Sequence, residues 1–189
     1  MNKKTLICLC SLLISYPLQA DVNRIPLPNN STFPISQAVE VTSGSLVFLS
    51  GVTPAVANPQ AGAGTPTYYG NTQTQTISVL QRLQANLEAM GMGLGDIIKL
   101  TVFLVGDPAS NGQMDFSGFM AGYTQFFGTT EQPNLPARSA FQIAALTQPL
   151  MFVEIEAIAV RDGERGPMEA APRQSRLRES NNLLDFLGF

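Results

Sequence analysis

The feature that most restricts this chain is an alternation near its C-terminal third. From Met151 to Val160, residues Met151, Val153, Ile155, Ala157 and Ala159 form one wholly apolar face. Glu154 and Glu156 share the opposite face with Phe152, Ile158 and Val160. A period of two places successive side chains on opposite sides of a strand, so one side packs on a core and the other is half apolar. Such a strand belongs in a sheet with helices on one face. On the other face Phe152, Ile158 and Val160, together with Phe103 of an earlier strand, are expected to be exposed in a monomer. Covering that face by self-association is the economical arrangement.

The rest of the chain supplies the partners. Ile97 to Val105 reads as a second strand, with Ile98, Leu100, Val102 and Leu104 on one side. Lys99 and Thr101 lie on the other, beside Ile97, Phe103 and Val105. Ala137 to Ala145 alternates as well, Phe141 and Ile143 facing one way and Arg138 and Gln142 the other; with Met151–Val160 it is expected to form a β-hairpin. Val39 and Val41, then Leu46 to Ser50, predict two further strands around Thr42-Ser43-Gly44. Gln73 to Met90 is the clearest helix, with Ile77, Leu80, Leu83, Leu87 and Met90 at steps of three or four and a glycine-rich stop at 91–95. Asp115 to Phe127 predicts a second helix on Phe116, Phe119, Met120, Tyr123 and Phe127. The order strand–strand–helix–strand–helix–strand–strand is α+β. Between these elements, 54–71 is a long Pro-, Gly- and Ala-rich loop, and Asp107 to Gln113 a polar turn.

The ends differ in character from this middle. Asn2, Lys3 and Lys4 precede the apolar run Leu6–Ile14, and Leu18-Gln19-Ala20 ends in a small residue, so residues 1–20 read as a cleavable secretory signal. The run is too short for a membrane-spanning helix. No stable membrane anchor is expected after cleavage, and the protein is expected in the periplasm or outside the cell. Residues 21–32 read as an extended lead-in, 33–161 as the domain, and 162–189 as a charged, disordered tail with an apolar end, Leu183 to Phe189.

Removing residues 1–20 also removes Lys3 and Lys4, so eleven basic side chains against fourteen acidic become nine against fourteen, a balance of −5. Cys8 and Cys10 leave with the same segment, and the chain contains no histidine. Cys–His catalysis and the usual zinc sites are therefore excluded, and the negative balance argues against nucleic acid as a partner.

Three stretches carry a family resemblance: Leu46-Val47-Phe48-Leu49-Ser50-Gly51; Gln75-Thr76 with Val79 to Val105; and Pro136-Ala137-Arg138-Ser139 with Val153 to Val160. Over residues 33–161 the chain resembles the reactive-intermediate deaminase (RidA, YjgF-like) family, whose fold is chorismate mutase-like. The resemblance implies a homotrimer with a ligand cleft between subunits and cofactor-free hydrolysis of enamines and imines, such as 2-aminoacrylate, to a 2-keto acid and ammonia. It assigns Arg138 to the substrate carboxylate and Glu154 to the water, with the backbone of Ser50 and Gly51 lining the cleft. At two positions this chain departs from the pattern. Ile35, within Phe33-Pro34-Ile35-Ser36-Gln37, replaces the family's cleft tyrosine, and Met120 replaces its asparagine.

The residue types suit that chemistry. A guanidinium grips a carboxylate through two parallel charge-assisted hydrogen bonds, and a carboxyl group in a partly dry cleft can take and return a proton. If the last two strands pair around Leu146–Leu150, Gln142 lies opposite Glu154 and Arg138 four residues further along, about 13 Å away. That is far for one small substrate within a subunit, so the spacing points to a site between subunits. Taken without the motif, Arg138 is an ordinary exposed arginine at a strand start, and Glu154 and Glu156 the solvated side of an edge strand. Two rivals stand beside the hydrolase: a non-catalytic module binding small carboxylates or a protein in the same cleft, and a ribonuclease, which the acidic balance disfavours.

Overall fold

The computed structural model describes residues 20–162; the leader expected at 1–20, except Ala20, and the tail after Asp162 lie outside the described residues. Six strands and two helices form the domain: β1 (Val22–Pro26), β2 (Ser36–Val41), β3 (Ser45–Val52), α1 (Thr72–Ala89), β4 (Ile97–Val105), α2 (Phe116–Tyr123), β5 (Ala137–Ile143) and β6 (Val153–Arg161). The strands make one mixed sheet in the order β1-β2-β5-β4-β6-β3. This is the α+β arrangement expected, with α1 and α2 packed together against one face.

Three expectations change. The segment read as an extended lead-in is extended but paired: Val22–Pro26 is an edge strand, antiparallel to β2. Its Arg24 reaches across to the carbonyls of Gly95, Ile97 and Leu135 at 2.8, 3.0 and 2.8 Å. More consequentially, β5 and β6 are no hairpin. β4 inserts between them, parallel to β5 (Leu100↔Arg138, Phe103↔Phe141) and antiparallel to β6 (Phe103↔Glu154, Leu100↔Ala157). The parallel β4–α2–β5 unit needs a crossover, and α2 supplies it. Third, Ile97 is fully buried rather than on the half-polar face, because the β4–β6 register shifts between Ile97 and Lys99.

β2 and β3 are joined by only Thr42–Gly44, yet β3 is one edge of the hydrogen-bonding order and β2 lies next to the other. In a flat sheet four strand spacings would separate them by about 19 Å, whereas the link spans at most about 14 Å. The sheet therefore curls. β2 meets β5 at a single pair, Ser36↔Ala137, and leaves a notch beyond it.

Helix α1 starts at Asn71, whose side chain accepts from the Thr74 N–H at 2.9 Å. Its inner stripe is Val79, Leu80, Leu83 and Leu87, all fully buried against Leu100, Val102 and Leu104 of β4 and Val153, Ile155 and Ala159 of β6. Helix α2 adds Phe119, Tyr123 and, just past its end, Phe127, with successive ring centroids 5.6 and 4.8 Å apart. The two helices approach closely at Gly122, where a Cβ would fall 2.7 Å from the Thr76 Cβ.

Among the described residues nothing covers the far side of the sheet. Leu46 is 53% exposed, Phe48 72% and Phe141 42%; Phe141 stands edge-on to Phe103 at 5.2 Å. Here the expected membership is corrected. Phe152 and Val160 are buried, Phe152 because it precedes β6 and hydrogen-bonds inward, Val160 because it packs beneath the turn at Gly44. The apolar exposure comes instead from β3 and β5.

Candidate functional site

The six residues singled out by the sequence fall into two groups on opposite faces of the sheet. In β5, Arg138 pairs across to Leu100, so its side chain rises on the helix side. In β6, Glu154 pairs across to Phe103, so its side chain rises on the open side. The two are two strands and three residues apart, about 14 Å in the plane of the sheet. A single small molecule cannot touch both within one subunit. The hairpin expected from the sequence is absent, and the separation it suggested is larger once the faces are counted.

The first group lies at the notch. The Arg138 guanidinium carbon is 4.3 Å from the Tyr123 ring centroid, 5.0 Å from Phe119, 5.4 Å from Phe33 and 5.9 Å from Phe116. Nη2 donates to the Met120 sulfur at 3.3 Å, and Nη1 is buried without a hydrogen-bond partner. No carboxylate among the described residues pairs with this cation. Burial lowers its pKa from the ordinary value, an effect partly offset by Tyr123. Tyr123 is held in turn by its hydroxyl, which donates to the Pro34 carbonyl at 3.0 Å, and burial pushes the phenol well above its usual range. Ile35 sits between Pro34 and Ser36, whose N–H donates to the Pro136 carbonyl at 3.0 Å. The ring contact with Arg138 at this corner belongs to Phe33, which is 40% exposed.

The second group lies across the sheet. β3 pairs with β6 through Leu49↔Ala157 and again at Val52↔Ile155, with a bulge that takes in Ser50 and Gly51. The Glu154 carboxylate rests over this bulge, and a Cβ at Gly51 would overlap its Oε1. Gly51 is therefore needed for its lack of a side chain. The family resemblance assigned Ser50, Gly51, Glu154 and Arg138 to one cleft; within one chain Gly51 lies against the Glu154 carboxylate and Arg138 is on the other face.

Two contributors carried no reading of their own as site residues. Phe33 is invisible to periodicity because it precedes β2 in irregular chain. Gln75 is a fully buried amide inside a helix, a polar residue on the core side of the stripe, and that mismatch was the available signal. Among the described residues no three His, Cys, Asp or Glu side chains gather as metal ligands, and no helix is long and apolar enough to cross a membrane.

A curled mixed sheet backed by two helices, with an unpaired arginine at a notch and a glutamate over a bulge, is the architecture of a Rid-type fold. The family described as Endoribonuclease L-PSP matches residues 29–161, and the chain belongs to this family, that of the RidA/YjgF proteins. A 2-iminobutanoate/2-iminopropanoate deaminase from Salmonella typhimurium is 36% identical over 128 residues, 68% of this chain and 88% of its own length. A RutC family protein from Pyrococcus horikoshii is 33% identical over 129 residues, again 68% and 88%. Among solved structures, a Yersinia pestis protein of unknown function in the conserved Rid family aligns with a TM-score of 0.54 at 24% identity, over 73% of this chain and 98% of that one, a likeness of fold.

Proposed function

We propose that this protein hydrolyses 2-imino acids and their enamine tautomers to 2-keto acids and ammonia, at sites formed where subunits of a homotrimer meet. The observation that carries the reading is the Arg138 guanidinium: half-buried, unpartnered at its buried Nη1 and facing no carboxylate among the described residues. A buried cation without an anion is unfavourable unless something outside the chain supplies one, and a planar carboxylate fits the fork. The deaminase name borne by a relative of 36% identity supports the same chemistry.

In this scheme the imino acid's carboxylate engages Arg138 of one subunit, and Glu154 of a neighbour meets the imine carbon from the other side. Glu154 takes a proton from water as its oxygen adds to that carbon, giving a tetrahedral amino alcohol. The proton then passes to nitrogen, the C–N bond breaks as the hydroxyl gives its proton back to Glu154 and becomes the carbonyl, and ammonia leaves with the keto acid behind. No cofactor enters these steps. The opposed faces of Arg138 and Glu154 support an intersubunit site, and the exposed Leu46, Phe48 and Phe141 support self-association. The leader-like first twenty residues support export to the periplasm or beyond; N-terminal sequencing of the exported protein is expected to begin at Asp21.

The deciding experiment generates imino acids in situ with an amino-acid oxidase and follows their loss by semicarbazide trapping. Acceleration that vanishes with Arg138→Ala supports the hydrolase. One observation favours a second reading: Met120, with the rings around it, gives the cation an apolar surround in which a carboxylate can be held without any hydrolysis. No acceleration from the folded oligomer, with keto acids still binding, decides for that non-catalytic module. Binding and cleavage of RNA in place of either would restore the ribonuclease reading.

A further inference from the structure

Gln75 stands out because helix periodicity gives it no role. It sits in the first turns of α1, is fully exposed to nothing but protein, and uses its whole amide. Nε2 donates to the Gly70 carbonyl at 2.9 Å and to the Leu150 carbonyl at 2.8 Å, and Oε1 accepts from the Phe152 N–H at 2.6 Å. Each partner is a backbone group at a place no regular element would hold. Gly70 ends the long loop that leaves β3 just after Gly51 and Val52. Leu150 has a φ of +64°, a left-handed conformation unfavourable for a leucine. Phe152 lies two residues before Glu154, and its carbonyl is fixed from the other side by the Val105 N–H at 2.9 Å.

Two chain segments that lead to or from the surroundings of the Glu154 carboxylate are therefore tied to one side chain. One is the approach to β6, which sets where Glu154 emerges. The other is the loop that follows the Ser50–Gly51 bulge over which that carboxylate rests. We propose that Gln75 is a positioning residue: it holds the start of β6 and the end of the β3–α1 loop so that Glu154 stays over the bulge. This rests on the hydrolase reading for its catalytic consequence but not for its structural content. Gln75 touches no substrate; it acts through Glu154, and none of its hydrogen bonds reaches Arg138.

The test compares Gln75→Met, of similar shape and without the amide, and Gln75→Glu with the unchanged chain. All three are assayed at a temperature where circular dichroism shows each fully folded. For Gln75→Met, kcat is expected to fall tenfold or more while KM stays within about twofold, since the carboxylate anchor is intact. Gln75→Glu keeps an acceptor for Phe152 but turns an ionised oxygen toward two carbonyls, so its kcat is expected to recover toward that of the unchanged chain as the pH is lowered and the carboxyl protonates. A lower melting temperature with unchanged kcat and no pH-dependent recovery would make Gln75 a packing residue and overturn the proposal. Amide hydrogen exchange is read on the same proteins, independently of catalysis. Exchange at Phe152 and Glu154 is expected to speed up at least tenfold in Gln75→Met, with β4–β5 amides unchanged. If the unchanged chain shows no hydrolysis, the hydrolase reading fails on that result alone, and the exchange rates still decide the positioning: accelerated, it stands; unaltered, it falls.

Discussion

Replacing Arg138 with methionine separates a binding role from a structural one, because the two predict opposite balances of stability and rate. In the folded protein the guanidinium gains from four aromatic rings at 4.3–5.9 Å, contacts worth roughly 0.5–2 kcal/mol in total when partly desolvated. Against this, Nη1 is buried without a partner, which costs about 1–3 kcal/mol. The terms nearly cancel, and methionine refills much of the space. The variant is expected to lie within about 1 kcal/mol of the parent, a shift of about 3 °C in melting temperature for a domain of this size. Substrate loses far more. Two charge-assisted hydrogen bonds to a carboxylate, at roughly 1.5–3 kcal/mol each and not fully additive, amount to about 3–5 kcal/mol. That is a fall in kcat/KM of about 10²–10⁴-fold. The assay pairs thermal unfolding with trapped-imine kinetics, and adds a 2-keto acid as ligand: at ten times its dissociation constant it is expected to stabilise the parent by about 1.4 kcal/mol and the variant hardly at all. A variant that loses 3 kcal/mol or more of stability, yet hydrolyses imines at the parental rate while folded, would refute the reasoning and make Arg138 a prop for the aromatic cluster.

Other perturbations test other parts of the site. Gly51→Ala sets a Cβ against the Glu154 carboxylate; the flexible acid is expected to swing aside, so stability changes by about 1 kcal/mol or less while kcat drops tenfold or more, read by the same kinetics. Phe48→Glu puts a charge on the most exposed aromatic ring of the open face; sedimentation is expected to show folded monomers, and hydrolysis to vanish with the assembly if Arg138 and Glu154 of different subunits share a substrate. Burial raises the Tyr123 phenol above its ordinary range. The folded state therefore keeps a proton that the unfolded state gives up above about pH 10, and the stability this group contributes is complete below that pH and lost as the pH rises beyond it. Tyr123→Phe is expected to flatten that alkaline fall in denaturant midpoints, at a loss of about 1 kcal/mol at neutral pH for the hydrogen bond to Pro34.

Period and punctuation in the chain itself settled the elements. The stripe through Leu80, Leu83 and Leu87, the alternation from Val153 to Ala159 and the glycine-rich stop after α1 are local consequences of 3.6- and 2-residue repeats, and each is where the periodicity puts it. Arg138 and Glu154 were singled out by the family resemblance alone; periodicity by itself makes them an exposed arginine at a strand start and the solvated side of a strand. Which strands become neighbours is not local. Ala137–Ile143 and Val153–Arg161 are consecutive and both alternate, yet β4 lies between them. No periodicity distinguishes a hairpin from a pair split by a third strand, because both bury the same residues. That insertion put Arg138 and Glu154 on opposite faces. The tertiary structure also buries Phe152 on the Gln75 amide and Val160 beneath the turn at Gly44, leaves Leu46 and Phe48 to the open side, and encloses the Gln75 amide between the neighbouring Gly70 carbonyl and the distant backbone of Leu150 and Phe152. The sheet's apolar faces could be inferred residue by residue; their contacts depend on strand order and on a curl that three linking residues impose, and only the assembled tertiary structure decides those.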